Sequence, residues 1–410
     1  MFRNSKLLTL FFTMLVVMIG FGIIIPVMPF YVEHFGAGGT ELGLMMAVFS
    51  VMQFVSSPFW GQLSDRYGRK RILMIGVLGN ALSLIVIGFA SSFLMIFLSR
   101  AFEGLISSAT LPTAMAFISD STEERDRGGG MGLIGAAMGV GMILGPGIGG
   151  WFGGGSLSTP FFLASGMGFL SLLLIWFILP ESLPVEKRIK TATPVRGVQL
   201  SVLWKALFGP VGFLLFLAFL VNYALANFEG IFGLYADIHY HYGPQQVGSI
   251  LMVVGAVSSL VQFLLTGPAT RRLGEPAVIK LSLIASALGF LLMTLATRNI
   301  LIVMTVGFFV FSNAMLRPAI MSLTSKISTG GQGMALGLNN SFQSLGRVIG
   351  PIWAGSLLDL NDNLPYLSAA VIMLAAFLYA LWSMQDGRIH LAQARLAILP
   401  ATDVKVSEDL

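Results

Sequence analysis

The chain has no cysteine and few charges. Without thiols it can form neither a disulfide nor a thiolate metal site. Charged residues are 10% of its 410 positions, against roughly 25% in soluble domains, so an ordinary water-soluble protein is excluded. There are only four histidines. Of these, His34, His239 and His241 fall near the ends of apolar runs without metal-ligand spacing, and no metal is expected. No G-x-x-x-x-G-K-[ST] occurs, which excludes a pump built on that phosphate loop.

What is present is hydrophobic, at 55% of residues. Twelve apolar segments have spanning length: 7–32, 41–63, 72–90, 93–118, 130–153, 159–179, 210–236, 244–268, 277–296, 300–325, 334–358 and 364–384. The first is too long for a signal peptide and lacks a small-residue cleavage site, so it reads as a retained span. Of the 24 Lys and Arg, Arg298 follows an odd-numbered span, and Arg100, Arg317 and Arg347 lie deep inside spans; all the others, with Lys280 near the start of span nine, sit on one side. The positive-inside bias makes that side the cytoplasm and places both termini there. The net charge of +5 is therefore a topology signal and no reason to expect nucleic acid as a partner.

The chain also repeats itself. The loop from Gly61 to Arg71 has a degraded copy at Gly267 to Gly274, Pro112 recurs as Pro318, and Gly145-Pro146 recurs as Gly350-Pro351, each about half a chain later and in the same orientation. That period is the mark of a duplicated transporter bundle. The one long polar interruption, with Lys187, Arg188, Lys190 and Arg196, falls between spans six and seven. The expected organisation is a six-helix bundle over 1–180, a cytoplasmic linker over 181–208, a second bundle over 209–386 and a solvated tail over 387–410. With so little sequence outside the bilayer, any chemistry belongs among the spans.

Gly61, Leu63, Asp65, Arg66, Gly68, Arg69, Lys70 and Arg71 fit G-x-L-x-D-R-x-G-R-[KR]-[KR] position by position. The glycines permit a tight turn, Asp65 and Arg66 can make charge-assisted contacts across the halves, and Arg69 to Arg71 can anchor to anionic lipid. In the second copy Arg271 replaces the acid, and Glu275-Pro276 replaces Arg69-Lys70. On this loop the chain is identified as a member of the major facilitator superfamily. Span five carries Gly132, Gly141, Gly145, Pro146, Gly149 and Gly150 in the spacing G-x8-G-x3-G-P-x2-G-G. Glycines at every fourth position clear a helix face for another backbone, and the set resembles the antiporter motif of the superfamily's drug:proton exporters. Span eleven repeats Gly337, Gly346, Gly350, Pro351 and Gly355 but adds Arg347.

Charges inside the membrane are the functional candidates. In span four, Arg100-Ala-Phe-Glu103-Gly104 resembles the family's R-x-x-Q-G, with Glu103 where Gln is commoner. Arg100 should line a cavity, and Glu103, three residues on, shares its helix face. Glu103 is either a structural partner or a participant in proton movement. In span seven, Glu229 lies deep in an apolar stretch with Asn222, Tyr223, Phe228, Phe232 and Tyr235. Desolvation disfavours a lone carboxylate's charged form, which makes one at that depth a natural proton carrier. Span ten adds Asn313, Met315 and Arg317. Spans seven and ten resemble the NorA-like multidrug exporters, in which a Glu in span seven and an Asp and Arg in span ten line the pocket; here Asn313 stands in place of that acid. Span one has Val17 where many relatives carry Asp.

The expected fold is therefore an all-α integral membrane protein of twelve transmembrane helices in two pseudo-symmetric six-helix bundles. The resemblance implies proton-coupled antiport of amphipathic, often cationic drugs and dyes across the cytoplasmic membrane by alternating access. Proton coupling is expected at Glu229 and Glu103, and Arg317 is the expected partner of Glu229. Arg317, Asn313, Arg100, Phe228, Phe232, Asn222, Tyr235 and Met315 are expected to line the cavity. No cofactor beyond the proton gradient is expected, and a monomer in contact with membrane lipids is the simplest assembly. A dedicated exporter of one metabolite, such as a siderophore or sugar, would share every motif. A lipid flippase or a receptor would want a lateral opening or a soluble domain. An enzyme would want a nucleophile-base pair or metal cluster that the spans do not offer.

Overall fold

The computed structural model describes residues 5–122, 127–188, 200–209, 211–327 and 332–384, and among them every long element is a helix. Spans one to six are Ser5–His34, Gly39–Tyr67, Arg69–Gly88, the pair Phe93–Ser107 and Thr110–Ser121, Arg127–Gly153 and Thr159–Ile178. Spans seven to twelve are Gly212–Tyr240, Pro244–Leu273, Glu275–Leu295, Asn299–Ile327, Gln332–Leu358 and Leu364–Ser383. Of the linker, the structure describes a turn at Val185–Lys187 and a helix at Leu200–Leu207; residues 189–199 and the tail over 387–410 lie outside the described residues.

Eleven of the twelve helices are long and apolar enough to cross a membrane. The twelfth, Gln332–Leu358, has the length at 27 residues but carries Asn339, Asn340, Gln343 and Arg347. Asn339 and Gln343 are buried against protein, which explains why a spanning helix falls short of the apolarity that lipid contact would demand. Elsewhere apolar side chains cover the outward faces, as with Phe177 at 79% and Phe263 at 87% exposure. Such surfaces suit lipid, not water.

Helix ends and breaks have local causes. Gly68 and Gly274 take φ of +101° and +78° between spans two and three and between eight and nine, the left-handed region that glycine enters freely. Ser92 caps span four by accepting from the Met95 N–H at 3.4 Å. Span four breaks at Ser108–Ala109, where Gly76 lets Thr110 approach; a Cβ on Gly76 would lie 2.5 Å from Thr110 Oγ1. Span eight passes through a π-helical turn at Val261–Leu265, with Thr266 Oγ1 donating to the Val261 carbonyl at 3.1 Å.

The duplication is visible in the packing. Span one packs on five, two on four and three on six; in the second half seven packs on eleven, eight on ten and nine on twelve. Two pairs dominate the contact between the halves, two with eleven and five with eight, and exchange places under the same repeat. Parallel repeats related by an axis along the membrane normal produce that pattern.

Candidate functional site

The crossing pairs are sealed at one end and clear at the other. Toward the end away from the basic loops, a Cβ on Gly39 would lie 2.7 Å from the Gly355 carbonyl, and one on Gly150 would lie 2.8 Å from the Gly248 Cα. Asp359, just past span eleven, accepts from the Gly39 and Thr40 backbone N–H groups at 2.8 Å each and so caps span two across the halves. At the basic end, Gly61, Gly132, Gly267 and Gly337, on spans two, five, eight and eleven, have open space where a Cβ would stand. The two halves are therefore apart at the end that carries the Lys- and Arg-rich loops.

Between them lies a cavity of about 70 Å³. Span one contributes Phe21 and Ile25, span two Met46, Phe49 and Ser50, span four Arg100, span seven Glu229, and span eleven Arg347 and Pro351. Phe21 and Phe49 pack ring to ring, tilted by 43° at 5.7 Å between centroids, and the Arg100 guanidinium sits 4.2 Å over the Phe49 ring. Arg100 and Glu103 are each 1% exposed and bonded at 2.5 Å. Asn80 donates to the second Glu103 oxygen at 3.3 Å. Each carboxylate oxygen of Glu103 thus has a donor, while Arg100 Nε is buried without a partner among the described residues. Glu229 is different: it is half-buried, faces the cavity, and makes no ion pair among the described residues.

The charge nearest to Glu229 corrects the sequence expectation. Arg347 of span eleven, not Arg317, faces Glu229 across the cavity, and Arg347 in turn lies within electrostatic reach of Arg317. Arg317 lies apart from it, in a closely packed recess with Asn222, Asn339 and Gln343 that has no room for a water molecule. Phe228, Phe232 and Tyr235 are also not on the cavity wall. Phe228 and Phe232 are fully buried, ring to ring at 4.9 Å, with Phe309 5.6 Å from Phe228, and Tyr235 meets Tyr366 at 4.7 Å. They face the neighbouring helices of their own half because aromatic packing there excludes a cavity. Met315 packs on the same core. Asn313 is buried, and its Nδ2 has no partner among the described residues.

The wall residues missed by sequence reasoning are Phe21, Ile25, Met46, Phe49 and Ser50. Their only signal is helical spacing: 21 with 25, and 46 with 49 and 50, each share a face. Arg347 was visible as an intramembrane charge, but nothing in the sequence assigned it a partner.

The loop-two residues form a tight knot within the first half. Arg69 is 8% exposed; it pairs with Asp65 at 2.6 Å and Asp120 at 2.9 Å and donates to Ser64 Oγ at 2.7 Å. Its backbone N–H donates to Glu181 Oε1 at 2.8 Å, which ties the loop to the start of the linker. Lys70 donates to the Trp176 carbonyl at 2.7 Å. With the basic end open, Asp65 is paired inside its own half and not across to the other, unlike the contact expected from sequence. The span-five glycines divide between two neighbours. Gly141, Gly145 and Gly149 admit span one, where a Cβ would meet Met18 Cβ, the Gly22 Cα and the Ile23 carbonyl at 2.5, 2.8 and 2.8 Å; Gly150 admits span eight.

Comparison with known proteins agrees with this architecture. The Major Facilitator Superfamily model matches residues 10–242 and 224–402. Multidrug resistance protein 1 of Bacillus subtilis is 34% identical over 375 residues, covering 90% of this chain and 94% of that protein. Multidrug resistance protein 2 of the same organism is 31% identical over 360 residues, covering 88% and 90%. Quinolone resistance protein NorA of Staphylococcus aureus is 30% identical over 387 residues, covering 93% and 97%. Among solved structures, the nucleoside transporter NupG superimposes with a TM-score of 0.75 at 15% identity, covering 95% of this chain and 99% of that one. The human organic anion transporter TETRAN superimposes with a TM-score of 0.67 at 23% identity, covering 92% and 99%. A duplicated set of helices, two crossing seams and a loop-two signature all lead to one assignment: this chain, a multi-pass membrane protein, belongs to the major facilitator superfamily.

Proposed function

We propose that the protein exports amphipathic drugs and dyes from the cytoplasm in exchange for protons. The observation that carries this reading is Glu229, a carboxylate without an ion pair among the described residues, on the wall of an aromatic cavity between the halves. A proton and a substrate amine compete for such a group, and that competition is the simplest chemistry of exchange. Phe21, Met46 and Phe49 give the wall adaptable apolar surface suited to varied planar molecules. The basic end is taken as cytoplasmic, so the arrangement described is open to the cytoplasm. The segments 1–180 and 209–386 rock about the central cavity, with Arg69 holding the loop-two knot during the cycle. The named relatives are drug-resistance proteins, which supports export over uptake. The proton gradient is the only energy source required, a monomer suffices, and the outer surface meets lipid. Glu103, closed off by Arg100 and Asn80, serves this scheme as a structural partner.

The test is uncoupler-sensitive efflux of a fluorescent dye from proteoliposomes bearing a pH gradient. Glu229→Gln should abolish proton-driven efflux while the protein still binds dye, because the amide imitates the protonated acid. Full coupling in that variant would remove Glu229 from the mechanism. A wild-type protein that moves no dye but moves one metabolite would mark a dedicated exporter.

A further inference from the structure

The linker contributes one helix at the basic end, Leu200–Leu207, separated from span seven by residues 208–211 alone. At about 3.6 residues per turn, Leu203, Ala206 and Leu207 share one face, Trp204 and Phe208 the next, and Ser201 and Lys205 the one after. The first face points into protein. Leu203 is buried with Leu215 of span seven and Phe342 of span eleven, and Ala206 and Leu207 pack on the same cluster. Among the described residues, Phe54 is the one side chain of the first half in that cluster. The corner into span seven is tight: Gly209 N–H donates to the Ala206 carbonyl at 3.1 Å and Gly212 N–H to the Gly209 carbonyl at 3.0 Å. A Cβ on Gly212 would collide with the Leu207 carbonyl oxygen. The helix is thus fixed to the second half at a set angle.

The second face is aromatic and uncovered. Trp204 is 66% exposed and Phe208 73%, and their rings meet edge to face at 5.3 Å. One exposed ring is ordinary on any protein surface, but two large rings packed on each other and left open make a patch that water does not favour. Three observations identify its cover as the membrane surface. A four-residue corner to a spanning helix keeps the patch at the level where that span enters the bilayer. Phe216 of span seven, 42% exposed, stacks on Phe219 at 5.9 Å, and Phe219 packs in the cluster that holds Leu203, so the outward surface of span seven continues into the patch. The charge is also of one sign: between Ile189 and Val211 the sequence has Lys190, Arg196 and Lys205 and no acid. Lys205 is exposed and makes no ion pair among the described residues.

We propose that Leu200–Leu207 is an interfacial foot: Trp204 and Phe208 seat in the membrane leaflet at the basic end, and Lys205 gathers anionic lipid headgroups beside them. Aromatic rings settle at the boundary between acyl chains and headgroups, and a lysine stem lies along apolar surface while its ammonium reaches the phosphates. An anionic leaflet adds attraction for the unpaired cation. Because the inner face of the helix is packed on spans seven and eleven, the leaflet holds the second half by this foot.

Tryptophan quenching tests this on the full chain in nanodiscs of phosphatidylcholine mixed with phosphatidylglycerol. Trp204→Phe keeps an aromatic pair and, by subtraction from the wild type, gives the Trp204 share of the emission. Bromine on the lipid chains close to the headgroup should lower that share at least about twofold. Bromine near the chain ends should act less, and aqueous acrylamide little. With the same fraction of brominated lipid, bromine carried on phosphatidylglycerol should quench Trp204 about twofold more than bromine carried on phosphatidylcholine. That excess should fall towards one in Lys205→Gln, an exposed substitution that leaves the packed face alone. Quenching by acrylamide and not by brominated lipid puts the patch in water and overturns the proposal. Protection from both quenchers means that protein, a second copy of this chain or another partner, covers the patch, and overturns it equally. Stronger quenching from the chain ends than from beside the headgroups refutes an interfacial seat. Equal quenching by the two brominated lipids in the wild type, or an excess that Lys205→Gln leaves intact, removes the role given to Lys205.

Discussion

Spans five and eleven are two copies of one helix, and their glycines are used in the same way. Gly145 of span five meets span one, and Gly350 of span eleven meets span seven, where a Cβ would lie 2.7 Å from the Tyr223 carbonyl. Gly150 admits span eight and Gly355 admits span two, both across the halves, while Gly132 and Gly337 face open space. The difference lies in everything else. Span eleven adds Asn339, Gln343, Arg347 and, just past its end, Asp359; the corresponding stretch of span five is apolar, and Gly154 stands where the repeat would place the acid. Packing was therefore kept in both copies, and polar chemistry was confined to one. A cavity enclosed by a symmetric scaffold acquires an asymmetric wall in this way, with its unmatched charge on the second half.

The largest effect should come from the cross-half glycines, and it should be equal in the two copies. A Cβ on Gly355 would collide with the Gly39 carbonyl oxygen, and one on Gly150 would lie 2.5 Å from the Pro244 carbonyl. Both obstacles are backbone, which cannot step aside. Gly150→Leu and Gly355→Leu should each destabilise the sealed arrangement by roughly 3 kcal/mol. Since the chain has no cysteine, Ser50→Cys gives a single reporter on the cavity wall. Its labelling by an impermeant maleimide from the sealed side should rise steeply in both variants. A rise in only one would mean that the two seams do not move together.

Next come the glycines within each half. Gly145→Val and Gly350→Val press against the Gly22 Cα and the Tyr223 carbonyl, and each should lower unfolding stability by roughly 1–3 kcal/mol. Thermal unfolding in detergent measures this. If packing is their whole role, the pair behaves alike. A Gly145→Val protein that stays stable yet transports without proton coupling, while Gly350→Val does not, would give the antiporter pattern a function beyond contact.

This division explains what the sequence could reveal. Glycine spacing, the loop-two turn and the apolar spans were legible because each follows from local pattern: every fourth residue, a fixed turn, a length near that of the bilayer. The facing of apolar helices was not. Apolar and aromatic side chains occur on every face of span seven, so little local separates Phe228 and Phe232, which turned inward to Phe309, from Glu229, which reached the cavity. Arg347 became a neighbour of Glu229 only once spans seven and eleven were packed, and Phe21 and Phe49 became a wall only once spans one and two were. Such facts belong to tertiary contact, and one chain without its packing does not contain them in readable form.

A smaller effect tests the one polar asymmetry at the sealed end. Asp359→Asn leaves one amide oxygen for the two backbone N–H groups of Gly39 and Thr40, so it removes one of those hydrogen bonds together with the charge at the start of span two. Because Asp359 is exposed, the loss should be about 0.5–1 kcal/mol. The Ser50→Cys reporter should then show a modest increase in labelling from the sealed side, several-fold below that of Gly355→Leu. An increase as large as the glycine variant's would make Asp359 the principal lock on that seam.

The smallest effect is expected at Gly132 and Gly337, where a Cβ meets nothing. Gly132→Ala and Gly337→Ala should leave stability within about 0.5 kcal/mol of the wild type or raise it slightly, since alanine favours helix. Both glycines nevertheless sit at the basic ends of the seam helices, the ends that must come together when the cavity opens on the other side. If the rocking motion closes that end as tightly as the sealed end is closed now, each alanine is harmless in the arrangement described and obstructive in its opposite. The signature would be normal thermal unfolding, normal dye binding and slowed efflux in both variants. Normal efflux in both would show that the basic end closes more loosely than the other, and the two copies would then be matched in sequence at positions where only one conformation uses them.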